Sequence, residues 1–127
     1  FLLIQVKDYK RLFAFSTIEH MGIILVAAGL GSYAAHVGAL SQILAHTVTK
    51  SFCFFAAGAA LLTTGTRDIS SVRGLIRTSP AAGIALMLGG LAIAGAPPFA
   101  IFLSEFSIIK AAIASGHYLV IGGLTLF

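Results

Sequence analysis

A few ionisable side chains stand inside runs that are otherwise apolar. Glu19 and His20 fall within the run after Arg11, His46 and Lys50 within the next, and Glu105 and Lys110 after Pro97-Pro98. His46 and Lys50 are spaced i, i+4, which puts them one turn apart on one helix face, with the hydroxyls of Thr47, Thr49 and Ser51 close by. A low-dielectric setting favours the neutral form of lysine and of glutamate alike. Such groups can exchange protons near neutral pH instead of being locked in one charge state. The chemistry this pattern offers is proton transfer between buried acids, imidazoles and an amine.

These residues carry structural readings too. Lys50 can snorkel to an interface, although it stands near the middle of its run, and Lys110, nearer a helix end, suits snorkelling better. His46 can be a packed, hydrogen-bonded residue. Glu105 can serve only as the partner of an unseen cation, and Glu19 and His20 as a structural pair. His36 and His117 read as solvated loop residues. No histidine has a second ligand at metal-binding spacing. Cys53 is the only cysteine; it forms no internal disulfide and reads as a small buried residue. The glycine-containing segments lie in or at the ends of apolar runs, where they suit helix packing and not phosphate binding.

The elements that must hold these groups are helices in a bilayer. Of the 127 residues, 58% are hydrophobic and 9% charged, and the mean hydropathy is +1.02. A core of this size cannot hide so much apolar surface from water. A span needs roughly 20 residues, so the chain has room for about four. The expected fold class is all-α, a polytopic transmembrane helix bundle. The first span is expected over 12–30, a loop over 31–38, a second span over 39–62 and a polar connection over 63–79. A long apolar stretch follows over 80–115, broken at Ala96-Pro97-Pro98, and the start of another span over 118–127. Two consecutive prolines remove two backbone donors. The long stretch is therefore either a hairpin of two spans or one discontinuous span whose unwound centre lines a cavity. A chain beginning at Phe1 and stopping inside an apolar run reads as an internal fragment.

Lys7, Lys10 and Arg11 precede the first span, and Arg67, Arg73 and Arg77 follow the second, while the loop between carries neither Lys nor Arg. The positive-inside rule puts residues 7–11 and 64–79 in the cytoplasm. The net charge is +4, but no basic patch is interleaved with aromatics, which argues against nucleic acid as a partner.

Asp8-Tyr9-Lys10-Arg11-Leu12-Phe13-Ala14-Phe15-Ser16-Thr17 resembles the Asp-x-Lys-Arg-x-x-Ala-Tyr/Phe-Ser-Ser/Thr opening of the proton-translocating, antiporter-like membrane subunits. That family includes the large membrane subunits of respiratory complex I, Mrp-type sodium/proton antiporters and the membrane arms of group 4 nickel–iron hydrogenases. His46-Thr47-Val48-Thr49-Lys50 is similar to the family's His-x-x-x-Lys helix. Ala96-Pro97-Pro98-Phe99 followed by Ser104-Glu105-Phe106 is similar to its broken helix with a midmembrane acid. Ser16-Thr17-Ile18-Glu19-His20-Met21-Gly22, His46-Thr47-Val48-Thr49-Lys50-Ser51 and Arg73-Gly74-Leu75-Ile76 resemble the hydrogenase-4 component F type within that family.

The resemblance implies a parent with two inverted repeats of about five helices each. Residues 1–127 would be part of the second, incomplete repeat, with one discontinuous span at Pro97 and Pro98. It implies a proton pathway through Lys50, His46, Glu105, Glu19 and His20, in a multi-pass subunit of a prokaryotic-type inner membrane. Other membrane and peripheral subunits would be partners. Iron–sulfur, nickel–iron or flavin groups would sit on those partners and none on this chain, so whether the assembly is an enzyme depends on them. The transported ion would be the proton, or sodium in an Mrp-type antiporter. A purely structural membrane arm is the remaining alternative.

Overall fold

The computed structural model describes residues 5–70 and 74–126, with no side-chain detail beyond Leu124. Arg73 therefore lies outside the described residues, as does Phe127 at the end of the last expected span. The helices named among the described residues are, in order, α1 (Tyr9–Gly29), α2 (Tyr33–Thr64), α3 (Leu75–Thr78), α4 (Pro80–Ile93), α5 (Ala100–Ala114) and α6 (Tyr118–Leu126). No strand forms among the described residues; one isolated antiparallel bridge pairs Asp8 with Asp68.

Local sequence explains the helix ends. Asp8 caps α1 by accepting from the Lys10 and Arg11 amides at 2.8 and 3.3 Å. Ser32 caps α2 by accepting from the Ala35 amide. Gly65 ends α2 in the left-handed conformation, φ +70°, which an L side chain resists. Pro80 opens α4, where its missing N–H costs nothing.

The loop expected over 31–38 is shorter than the sequence suggests. α2 begins at Tyr33, so Tyr33 and His36 are helical, both on its exposed side. The Ser32 cap sits one residue after Gly31, and helix starts there as soon as the cap is made. His117 does lie between helices, exposed.

α1 and α2 are each long and apolar enough to cross a membrane. Much of their apolar surface faces outward: Leu62 is 90% exposed and Phe55 80%. Apolar surface on that scale has no place against water. The buried positions of α1 are Tyr9, Phe13, Ser16, His20, Ile23 and Ala27, alternating steps of four and three. That stripe lies along α2.

α2 is the spine. α1, α4 and α5 all pack on it, while α4 and α5 touch each other little. Gly89 of α4 meets Cys53 and Phe52. Ser104 of α5 meets Gln42, and Ile108 meets Gly38. As the numbers climb through α4 and α5, their partners on α2 descend. The two short helices thus run end to end, antiparallel to α2, and are not folded back side by side. Residues 94–99 between them form no helix and contain the cis Pro97–Pro98 peptide. Small residues permit this close packing: a Cβ on Gly38 would come 2.8 Å from Ile108 Cγ1, and one on Gly83 2.7 Å from Ile76 Cγ1.

The segments flanking α1 and α2 meet at one end of the bundle. The Ile69 amide donates to Lys7 O at 2.7 Å and the Tyr9 amide to Arg67 O at 3.2 Å. The Tyr9 hydroxyl donates to Thr66 O at 3.0 Å. Lys7, Lys10, Arg11, Arg67 and Arg77 are all exposed.

Candidate functional site: a polar line inside the bundle

The polar residues of three helices converge between α1, α2 and the α4–α5 junction. Ser16 and His20 lie one turn apart on the buried stripe of α1. Gln42, His46 and Lys50 do the same on α2, in successive steps of four, all buried. Ser104 and Glu105 begin the second turn of α5.

At one end, Lys50 Nζ donates to the Phe13 carbonyl and to Ser16 Oγ on α1. Phe13 O also accepts from Ser16 Oγ at 3.0 Å and Thr17 Oγ1 at 3.2 Å. The ammonium is thus held by α1, so Lys50 does not bond His46 on its own helix. Snorkelling is not what Lys50 does, since it is 7% exposed. Lys110, by contrast, is exposed.

In the middle, His20 Nδ1 lies 2.8 Å from His46 Nδ1, with the rings edge to face and 5.0 Å apart. Of two neutral imidazoles so placed, one must donate and the other accept.

At the far end, His20 Nε2 stands 3.8 Å from Glu105 Oε1. Glu105 Oε2 folds back against Gly95, whose φ is +68°, in the space a side chain there would occupy: a Cβ would come 3.0 Å from it. Glu19, half-buried, joins His20 and Glu105 in lining a cavity of about 350 Å³ together with Ile23, Ile93, Ala94 and Ile109. The end of α4, at Ile93 and Ala94, thus shares this cavity with the two carboxylates. A second, wider groove of about 540 Å³ opens beside His46, Lys50, Phe54 and Phe55. Thr47 and Ser51 edge it, but their hydroxyls bond back to Ile43 O and Thr47 O of their own helix.

The structure brings Lys50, His46, His20 and Glu105 into one line and sets Glu19 at its cavity end. Glu19 and His20, neighbours in sequence, both line that cavity, Glu19 half-buried and His20 buried. Pro97 and Pro98 are exposed in the junction. Cys53 is fully buried with Sγ 3.2 Å from Gly89 O, a packing role. Sequence reasoning overlooked Ser16, Gln42 and Ser104. The signal was available: Ser16 precedes His20 by four, and Gln42 precedes His46 by four.

Long apolar helices around an interior line of ionisable groups define a membrane-embedded protein. The chain belongs to the NADH:quinone oxidoreductase/Mrp antiporter transmembrane family, whose pattern it matches over residues 2–126. It is 44% identical over 108 residues to a hydrogenase-4 component F homolog of Methylacidiphilum infernorum, covering 85% of this chain and 23% of that protein. It is 32% identical over 126 residues to a Na(+)/H(+) antiporter subunit of Alkalihalophilus pseudofirmus, covering 94% and 26%. It is 37% identical over 109 residues to an F(420)H(2) dehydrogenase subunit of Methanosarcina mazei, covering 85% and 22%. The chain thus spans about a quarter of the length of the curated relatives it matches.

Proposed function

We propose that this chain is the proton-transferring part of a membrane subunit whose complex couples electron transfer in partner subunits to proton movement. The observation that carries this reading is the set of contacts Lys50–Ser16, His20–His46 and His20–Glu105, which cross between helices inside the bundle. The mechanism is electrostatic. A change of charge state elsewhere in the complex shifts the balance at Lys50. A proton then passes by way of the two imidazoles toward Glu105. Glu105 exchanges it through the cavity it shares with Glu19. Water bridges the intervals too long for direct transfer.

The bundle's place in the membrane follows the same reading. α1 and α2 are two spans, and α4 and α5 are the halves of one discontinuous span whose break serves the site. α6 belongs to a fourth. Residues 7–11 and 64–79 face the cytoplasm of a prokaryotic-type inner membrane. The chain corresponds to an incomplete second inverted repeat. The complex is of hydrogenase-4 or NADH–quinone type, with iron–sulfur, nickel–iron or flavin groups on partner subunits. A second reading, sodium/proton exchange of the Mrp type, draws on the similarity to the Alkalihalophilus pseudofirmus antiporter.

The test is Glu105→Gln in the full-length protein within its complex, with donor-driven proton uptake by inverted vesicles measured beside electron transfer. The expected result is less uptake per electron from an assembled complex. Unchanged uptake per electron removes Glu105 from the pathway and leaves it a structural role. Uptake driven by an imposed sodium gradient without electron donor selects the antiporter reading.

A further inference from the structure

Five cations gather at the end of the bundle where the segments flanking α1 and α2 meet. The pairing of Lys7 with Ile69 and of Tyr9 with Arg67 sets Arg67 beside Lys7, Lys10 and Arg11. Leu75 is buried in the same core cluster as Tyr9, which brings Arg77, two residues later, to this end as well. All five are exposed, and none forms an ion pair among the described residues. The carboxylates at hand, Asp8 and Asp68, are both engaged. Asp8 caps α1. Asp68 accepts from the Ser70 amide at 3.1 Å and the Ser70 hydroxyl at 2.9 Å. Positive charge at this end exceeds negative by three among the described residues.

Apolar side chains turn outward next to these cations. Ile69 is 45% exposed and Ile76 53%, close in sequence to Arg67 and Arg77. Leu62, two residues before the end of α2, and Ile84, in the second turn of α4, continue the outward apolar surface along the helices. Ile76 is held in this position by packing: a Cβ on Gly83 of α4 would come 3.0 Å from Ile76 N and Cα. The result is a cationic rim directly above an apolar flank. A neutral lipid leaves the excess charge unanswered, and a soluble anion leaves the isoleucines in water. A ligand with an anionic head and hydrocarbon tails answers both.

We infer that this end of the bundle binds anionic phospholipid, with the headgroup phosphate among Lys7, Lys10, Arg11, Arg67 and Arg77 and the acyl chains over Ile69, Ile76 and Leu62. The arginines offer forked donors to the phosphate oxygens, and the lysines offer compact charge. Because the cations are exposed, the attraction weakens as salt rises. Bound lipid bridges the start of α1, the end of α2 and the turn before α4, and so holds together three elements that otherwise meet here through a few backbone hydrogen bonds and the Tyr9 cluster.

The experiment uses the full-length protein in its complex, stripped of lipid in a neutral detergent. Its melting temperature is followed while phosphatidylglycerol, phosphatidylcholine or inorganic phosphate is titrated in. The expected result is a saturable rise with phosphatidylglycerol alone. Lys10→Gln and Arg77→Gln are each expected to raise the half-saturating concentration about fivefold, the scale for one cation at a lipid surface. Arg77→Lys, which keeps the charge, is expected to restore it, and Lys110→Gln, at the other end of the bundle, to leave it unchanged. Ile69→Ser with Ile76→Ser is expected to weaken the titration too. Each variant is compared with itself without lipid, so a loss of basal stability does not enter. Equal rises with phosphatidylcholine overturn the inference, because the tails alone would then suffice. An equal rise with inorganic phosphate overturns it in favour of a soluble anion. Unchanged titrations in the cation variants overturn it as well. If those variants instead shed a partner subunit, the cations serve an acidic protein surface.

Discussion

His20 Nδ1 and His46 Nδ1 face each other at 2.8 Å across the α1–α2 interface. Neither residue reaches as far alone: His20 also touches Glu105, and His46 stands one turn from Lys50 on α2. The pair therefore spans the interval between amine and carboxylate.

Two groups acting in series fail together. His20→Gln and His46→Gln are each expected to lower donor-driven proton uptake by roughly a hundredfold or more, the usual scale for losing a proton-transferring group. The double variant is expected to be no worse than the more damaging single one. Losses that multiply in the double variant would mean two independent routes and would break the series.

Lys50 is tied to α1 by the Phe13 carbonyl and Ser16 Oγ. Lys50→Met removes the charge and keeps the length, and is expected to reduce proton uptake while the complex assembles. Ser16→Ala is expected to cost about 1.5–3 kcal/mol, the range for a hydrogen bond to a charged group, read as a lower melting temperature in detergent. A Ser16→Ala variant as stable as the parent would show that the serine is dispensable for holding the ammonium.

Gly95 gives Glu105 its place. A Cβ there would come 3.0 Å from Oε2 and would have to adopt φ +68°. Gly95→Ala is expected to push the carboxylate away from the α4–α5 junction and to lower proton uptake, at a backbone cost of about 1–2 kcal/mol. Normal uptake in an assembled Gly95→Ala complex would show that the position of Oε2 is not critical.

Gly38 lets α5 lie close against α2, and a Cβ there would fall 2.8 Å from Ile108 Cγ1. Gly38→Ala is expected to destabilise the bundle by about 1–3 kcal/mol, the cost of overpacking. Ile108→Ala, which removes Cγ1, is expected to cost less in the Gly38→Ala chain than in the parent, and thermal melting of the single and double variants checks the pairing. Equal cost in both backgrounds would place the clash elsewhere.

Topology is open to labelling. Residues 7–11 and 66–69 are held together by backbone hydrogen bonds, so cysteines at Lys10 and Ser70 are expected to react with a membrane-impermeant maleimide from the same side. A cysteine at Ser32 is expected to react from the other. Cys53, fully buried, is expected to stay unlabelled in folded protein. Opposite-side labelling of Lys10→Cys and Ser70→Cys would contradict the pairing of the two segments.

Much of this protein can be read from its residues in order. Apolar runs of span length, ionisable groups within them and the i, i+4 step from His46 to Lys50 are properties of one chain segment at a time. So are the helix ends at Asp8, Gly65 and Pro80, because caps act on their own first or last turn. The shortened 31–38 loop shows the limit even there, since the Ser32 cap outweighed a run of mixed residues that looked irregular.

Other features needed the folded molecule. Nothing in sequence tells that Lys50 bonds Ser16 and not His46, that His20 bridges His46 to Glu105, or that Gln42 meets Ser104. The α4–α5 order along α2 was likewise open, because a Pro-Pro break suits a hairpin as well as an end-to-end pair. These relations depend on how far each helix is rotated about its axis and how closely two axes approach. Both are decided by small residues fitting against large ones across the interface, such as Gly38 against Ile108 and Gly89 against Cys53. The sequence by itself determined which groups could carry a proton; only the packing of the helices decided which of them touch.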